Sequence, residues 1–123
     1  MARILVIGGE ELFDTVRGLL ATHGYAIERA ADSHEAVRRH AETPADLVIA
    51  GPGCAAGGEL DVLLGLIRDN PGLKIVTVSE AGAEAYLEGH AAASALGALA
   101  TIAQPIEAKE LLFHVLACLG PLD

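Results

Sequence analysis

The chain has 123 residues, 52% of them hydrophobic, and a formal net charge of -9 from 17 acidic and 8 basic residues. That length fits a single domain, 1–123, able to bury about two thirds of what its unfolded chain exposes, and the acidic balance argues against nucleic acid or an anionic membrane as main partner. Two cysteines, Cys54 and Cys118, and no Trp exclude a dense disulfide framework and a platform for stacked bases.

Arg3-Ile4-Leu5-Val6-Ile7 is an aliphatic run ending at Gly8-Gly9, the pattern of a strand buried on both faces. The opening MARILVIGGE has no signal-peptide core and no stretch is long enough to span a bilayer, so a soluble, cytoplasmic protein is expected. From Glu10 to His23, Leu12, Val16, Leu19 and Leu20 recur at helical spacing, with carboxylates in the early turns where they suit the helix dipole. Gly24 stops that helix, and Tyr25 to Ala30 reads as a second strand. Asp32-Ser33-His34-Glu35 has capping-box spacing, with Asp32 accepting from backbone amides and Glu35 reaching back, and opens a helix to about Ala41. Thr43-Pro44-Ala45 turns into a third strand, Asp46 to Ala50, followed by a loop of small residues from Gly51 to Gly58. Leu60, Leu63, Leu64 and Ile67 mark a third helix that ends before Asn70-Pro71-Gly72, and Leu73 to Val78 gives the fourth strand. Ala83 to Ala95 is the least well specified helix, short of large apolar residues and interrupted by Gly89. Ala98 to Ala103 is the fifth strand, and Pro105-Ile106-Glu107 leads into a last helix through Leu111, Leu112, Val115 and Leu119.

Five strands alternating with helical segments predict an α/β fold: a parallel sheet between two helix layers, each crossover right-handed. The flavodoxin-like doubly wound (βα)5 sandwich with strand order 2-1-3-4-5 is the expected topology, and any site belongs at the carboxyl ends of the strands. Those ends are Gly8 to Glu10, Gly51 to Gly58, Ser79 to Gly82 and Gln104-Pro105.

With these segments in place, the chain resembles the receiver domain of bacterial response regulators (the CheY-like family) over nearly its whole length. The phrases that carry the likeness are ILVIGGEEL, HGYAIERAADSHEA, PADLVIAG, NPGLKIVTVSE and ALGALATIAQPIEAKELL. The resemblance implies phosphoryl transfer from a histidine kinase to an aspartate, with Mg²⁺ on an acidic pair and a lysine and a hydroxyl on the phosphoryl oxygens. Position by position, most of that set is replaced. Gly8 and Gly9 stand in place of the acidic pair, Gly51 in place of the phosphoacceptor, Gln104 in place of the lysine and Thr101 in place of the aromatic switch. Ser79 matches its expected type, and Glu10 matches an acidic residue common after the pair. The replacements are electrically coherent, because a buried lysine left without its carboxylates would cost several kcal/mol and here it is neutral too. A one-residue slide that brings Glu10 and Glu11 toward the metal position would still supply no phosphoacceptor.

The expectation is therefore a degenerate receiver, not an enzyme, using no metal or cofactor, that binds a signalling protein or a second copy of itself. The resemblance implies the face of the fourth helix, fifth strand and fifth helix as partner surface. On the last helix, Phe113 and Leu116 lie off the apolar stripe and are the candidate interface residues. A second reading is a small-ligand or anion sensor at the glycine-lined mouth; a third is a remnant enzyme with Cys54 or Ser79 as nucleophile. Cys54, near a helix start, is a candidate redox-sensitive thiol. The histidines His23, His34, His40, His90 and His114 show no i, i+4 pairing and read as solvated helix residues.

Overall fold

The computed structural model describes residues 2–55 and 57–120. Its strands are β1 (Arg3–Ile7), β2 (Ala26–Ala30), β3 (Leu47–Ala50), β4 (Lys74–Ser79) and β5 (Ala100–Ala103). Its helices are α1 (Glu10–Leu20), α2 (Ser33–Glu42), α3 (Gly57–Asp69), α4 (Ala83–Leu96) and α5 (Ala108–Leu119). The strands form one parallel sheet in the order β2-β1-β3-β4-β5, the flavodoxin-like arrangement expected from the alternation.

The sheet separates two cores because successive strand residues face opposite ways. Ile4 and Val6 of β1 join Val16 and Leu20 of α1 and Leu111 and Val115 of α5 on one side. Leu5 and Ile7 join Ala36 of α2, Leu63 and Leu66 of α3 and Leu96 of α4 on the other. Burial on both faces explains why β1 and β3 are continuous aliphatic runs.

Local chemistry sets the element ends. The first helix stops at Leu20 and tightens into a 3₁₀ turn, Ala21–His23, before Gly24 takes a left-handed φ of 79°. Asp32 Oδ1 accepts from the Glu35 N–H at 2.8 Å, as the capping box requires, but Glu35 Oε1 accepts from Ala31 at 2.7 Å, one residue earlier than the box predicts. The segment read as a loop from Gly51 to Gly58 holds a 3₁₀ turn, Pro52–Ala55, and α3 already begins at Gly57; Ala56 lies outside the described residues. Asp46 and Leu73, read as strand starts, precede β3 and β4. Leu73 is held in a turn by its N–H to the Asn70 carbonyl at 2.9 Å.

One histidine departs from the solvated role. His40 is buried, with 8% exposure. Its Nδ1 accepts from the Ala45 N–H at 3.0 Å, and its Nε2 meets Asn70 Oδ1 at 3.2 Å. Asn70 Nδ2 donates to the Leu66 carbonyl at 2.9 Å, which fixes the Asn orientation and makes His40 Nε2 the donor. The imidazole thereby ties the end of α2 to the end of α3.

Candidate functional site

Parallel register brings the carboxyl ends of β1 and β3 side by side. Ile7 pairs with Ala30 on one side and Ala50 on the other, and the Gly51 N–H donates to the Ile7 carbonyl at 2.8 Å. Gly8 and Gly51 are therefore neighbours, as the resemblance requires of the acidic pair and the phosphoacceptor. No space is left between them for a side chain. A Cβ on Gly51 would stand 2.8 Å from the Ile7 carbonyl oxygen and 2.8 Å from Leu12 Cδ2. A Cβ on Gly8 would stand 3.1 Å from the same Leu12 methyl, at a φ of 153° that disfavours any other residue. Leu12, from the first turns of α1, thus fills the space at these two glycines. Glu10 opens α1 and is exposed.

A magnesium ion does not fit the residues present. Such an ion takes several oxygen ligands in near-octahedral array, whereas Gly8 and Gly9 carry no side chain and a leucine methyl lies against the first of them. Among the described residues, no three His, Cys, Asp or Glu groups converge on a point that could hold a metal.

The positions that the resemblance matches to the hydroxyl and the aromatic switch are close-packed. Ser79 is buried at the end of β4, its hydroxyl donating to the Glu80 carbonyl at 3.1 Å. The Thr77 hydroxyl donates to Thr101 Oγ1 at 3.1 Å, joining β4 to β5 through side chains. Above them sits Gly89 of α4, where a Cβ would lie 3.1 Å from Ser79 Cβ and 3.7 Å from Thr101 Cγ2. The glycine that weakened the reading of α4 is what lets the helix rest directly on these two positions.

Beside the glycines the strand ends open into a cleft of about 440 Å³. Its apolar walls are Leu12, Pro52, Pro105 and Ile106, and its polar groups are Glu11, Thr15, Glu80 and Gln104. Gln104 precedes a cis proline, and its N–H donates to the Ser79 carbonyl at 3.1 Å. Among the described residues no basic side chain lines the cleft, and Arg29 Nε donates to the Gly8 carbonyl at 3.0 Å.

Cys54 is not the activated thiol that its position suggested. It is buried with 4% exposure, and burial, reinforced by the carboxylates of Glu59 and Asp32, pushes its pKa up to about 11. A thiol that stays protonated at neutral pH is a poor nucleophile. Cys118 is half-buried against the core under the other helix layer, and burial raises its pKa as well.

Phe113 and Leu116 lie apart from the cleft on α5. Phe113 is 67% exposed, as its offset from the inner stripe predicts, while Leu116 is half-buried. Leu87 on α4 and Leu99 just before β5 are also exposed, at 66% and 57%. Large apolar side chains thus reach solvent from each of the three segments expected to form the partner face.

The residues that sequence reasoning missed are Leu12, Glu80 and Gly89. Leu12 read as one more member of the helical stripe, Glu80 lay in the strand end Ser79 to Gly82 without an assigned role, and Gly89 read as a weakness of its helix.

No protein-family model matches the chain, and no curated protein matches it significantly. Solved structures do. The chain superimposes on NtrX from Brucella abortus with 26% identity and a TM-score of 0.81, covering 97% of this chain and 27% of that one. It therefore spans about a quarter of the length of that relative. Against the receiver domain of NtrX from Brucella abortus the identity is 25% and the TM-score 0.81, over 94% of this chain and 97% of that domain. The chemotaxis protein CheY4 of Vibrio cholerae shares the fold, with a TM-score of 0.80 at 20% identity over 97% of this chain and 99% of that one. The structural neighbours of this chain are response-regulator receiver domains.

Proposed function

We propose that this chain is a receiver-like protein-interaction module of bacterial two-component signalling that works without being phosphorylated. The observation that carries the reading is Gly51: it stands where the resemblance puts the phosphoacceptor, has no side chain to phosphorylate, and has Leu12 packed where one would go. Aspartyl-phosphate chemistry needs a carboxylate nucleophile, a metal and a compensating cation, and glycines and Gln104 occupy those positions. What remains of the receiver is its scaffold and its surface. Exposed Leu87, Leu99 and Phe113 support protein binding through the α4, β5 and α5 face. A docking module of this kind catalyses no reaction and acts in the cytoplasm.

The carboxylates of Glu11 and Glu80 weigh against the alternative reading of the mouth as an anion sensor. The test is exposure of the domain to acetyl phosphate with Mg²⁺, followed by intact-mass analysis, and to beryllofluoride with spectroscopic detection. The expected outcome is no phosphoryl adduct and no Mg²⁺-dependent change. Stoichiometric aspartyl phosphate would overturn the proposal.

A further inference from the structure

The cleft at the strand ends carries a charge pattern opposite to that of an anion site. Glu11 reaches it from the first turn of α1, Glu80 from the segment after β4, and Gln104 from the segment after β5. Three separate segments therefore line one cavity, each with a residue whose side chain carries oxygen acceptors. Among the described residues neither glutamate takes part in an ion pair. The walls between these acceptors are apolar: Leu12, Pro105 and Ile106. The volume, about 440 Å³, is that of a small-ligand site.

We infer that this cleft is a receptor for an arginine side chain presented by a partner protein. Two carboxylates with no counter-cation in the lining select positive charge, and the chain's net charge of -9 draws a basic partner toward it. A guanidinium has five donors in one plane, so it can serve acceptors that arrive from different directions, where the compact ammonium of lysine acts as a point charge. Its methylene stem suits the leucine, isoleucine and proline walls. A hard divalent cation would leave those apolar walls unused, whereas a side chain with a methylene stem packs against them. The site lies at the carboxyl edge of the sheet, and it does not depend on the face carrying Phe113 or on the absence of phosphorylation.

The experiment is a titration of the isotope-labelled domain with N-acetyl-arginine methylamide, followed by amide chemical shifts. Saturable shifts confined to Gly9, Thr15, Gln104 and Ile106, weakening as salt is raised, are the expected result. The uncharged citrulline analogue should leave these amides in place. The double variant Glu11→Gln, Glu80→Gln should raise the dissociation constant at least about tenfold, while Glu84→Gln, an exposed α4 carboxylate outside the cleft, should leave it unchanged. Equal shifts with citrulline, equal weakening by Glu84→Gln, the same shifts from magnesium chloride alone, or no saturable shift would each overturn the inference.

Discussion

At the end of β3, Gly51 leaves no room for a Cβ between the Ile7 carbonyl oxygen and a Leu12 methyl. Its backbone is in the ordinary negative-φ range, so the demand for glycine is purely one of space. Gly51→Ala should cost about 1–3 kcal/mol, because the new methyl meets a carbonyl oxygen that belongs to the β1–β3 pairing and cannot move alone. Gly51→Asp should cost at least as much and should gain no phosphoryl group from acetyl phosphate. Adding Leu12→Ala relieves only one of the two close contacts, since the Ile7 carbonyl remains, and empties a core position, so the pair should be no more stable than Gly51→Asp alone and should gain none of the chemistry. Urea denaturation and intact mass on the three variants check this; a Gly51→Ala protein as stable as the parent would remove the steric account. A second residue-scale effect is linked to pH. The Ala31 N–H, followed by Arg39 and Arg38, holds the Glu35 carboxyl below its usual pKa. A depressed folded-state pKa stabilises above the unfolded value of about 4.3 and loses that stabilisation as pH falls through the lower folded value. Glu35→Gln should therefore be less stable than the parent near neutral pH, and the difference should shrink as the solution is acidified below pH of about 4. A difference that stays constant from neutral to acid pH would mean that the carboxylate charge does not matter at that cap.

At the scale of elements, two helical glycines make opposite predictions from the same propensity. Gly18 in α1 has nothing within 4 Å of its would-be Cβ, so Gly18→Ala should stabilise by about 0.5–1 kcal/mol through the unfolded chain. Gly89 in α4 has Ser79 Cβ at 3.1 Å. There Gly89→Leu should lift the helix off β4 and β5 and cost about 1–3 kcal/mol. Equal effects of the two substitutions in urea denaturation would mean that α4 is not seated on Ser79. This contrast also marks where the sequence was legible. The aliphatic runs of β1 and β3 announced themselves because burial on two faces leaves no polar position, and glycine and the Asp32 cap punctuated the helices. Boundaries slipped where an apolar residue was buried outside a strand, as at Leu73, or where a helix tightened before ending, as after Leu20. The resemblance placed the candidate site at Gly8, Gly9, Gly51 and Gln104. Its filling was not legible, because a leucine at position 12 fits the same helical stripe whether it covers an open pocket or plugs a closed one. Likewise His40 looked like any polar residue of a helix, since its role rests on Asn70 and Ala45, which lie on other segments.

For the whole molecule, the proposed reading gives protein binding to the face of α4, β5 and α5, apart from the cleft at the carboxyl edge of the sheet. Thr77 and Thr101 join β4 to β5 through their hydroxyls, and α4 is seated on Ser79. The exposed apolar residues of the face do nothing for that packing: Phe113 touches His114 edge-on with ring centroids 5.3 Å apart and is otherwise 67% open to solvent. The inner stripe of α5, Leu111 and Val115, is fully buried and anchors the helix without help from residue 113. Phe113→Asp should therefore leave the circular dichroism spectrum and the urea midpoint nearly unchanged, as for a surface substitution within about 0.5 kcal/mol. Binding should respond differently. A carboxylate forced into a desolvated contact without a partner costs several kcal/mol, which lowers affinity by about 100-fold or more. Leu87→Asp should act in the same sense, and Val37→Asp, an exposed residue of α2 outside these three segments, should not. Sedimentation and capture of the signalling partner on the three variants distinguish the outcomes: if Phe113→Asp stays folded and still associates as the parent does, α5 is not part of the interface.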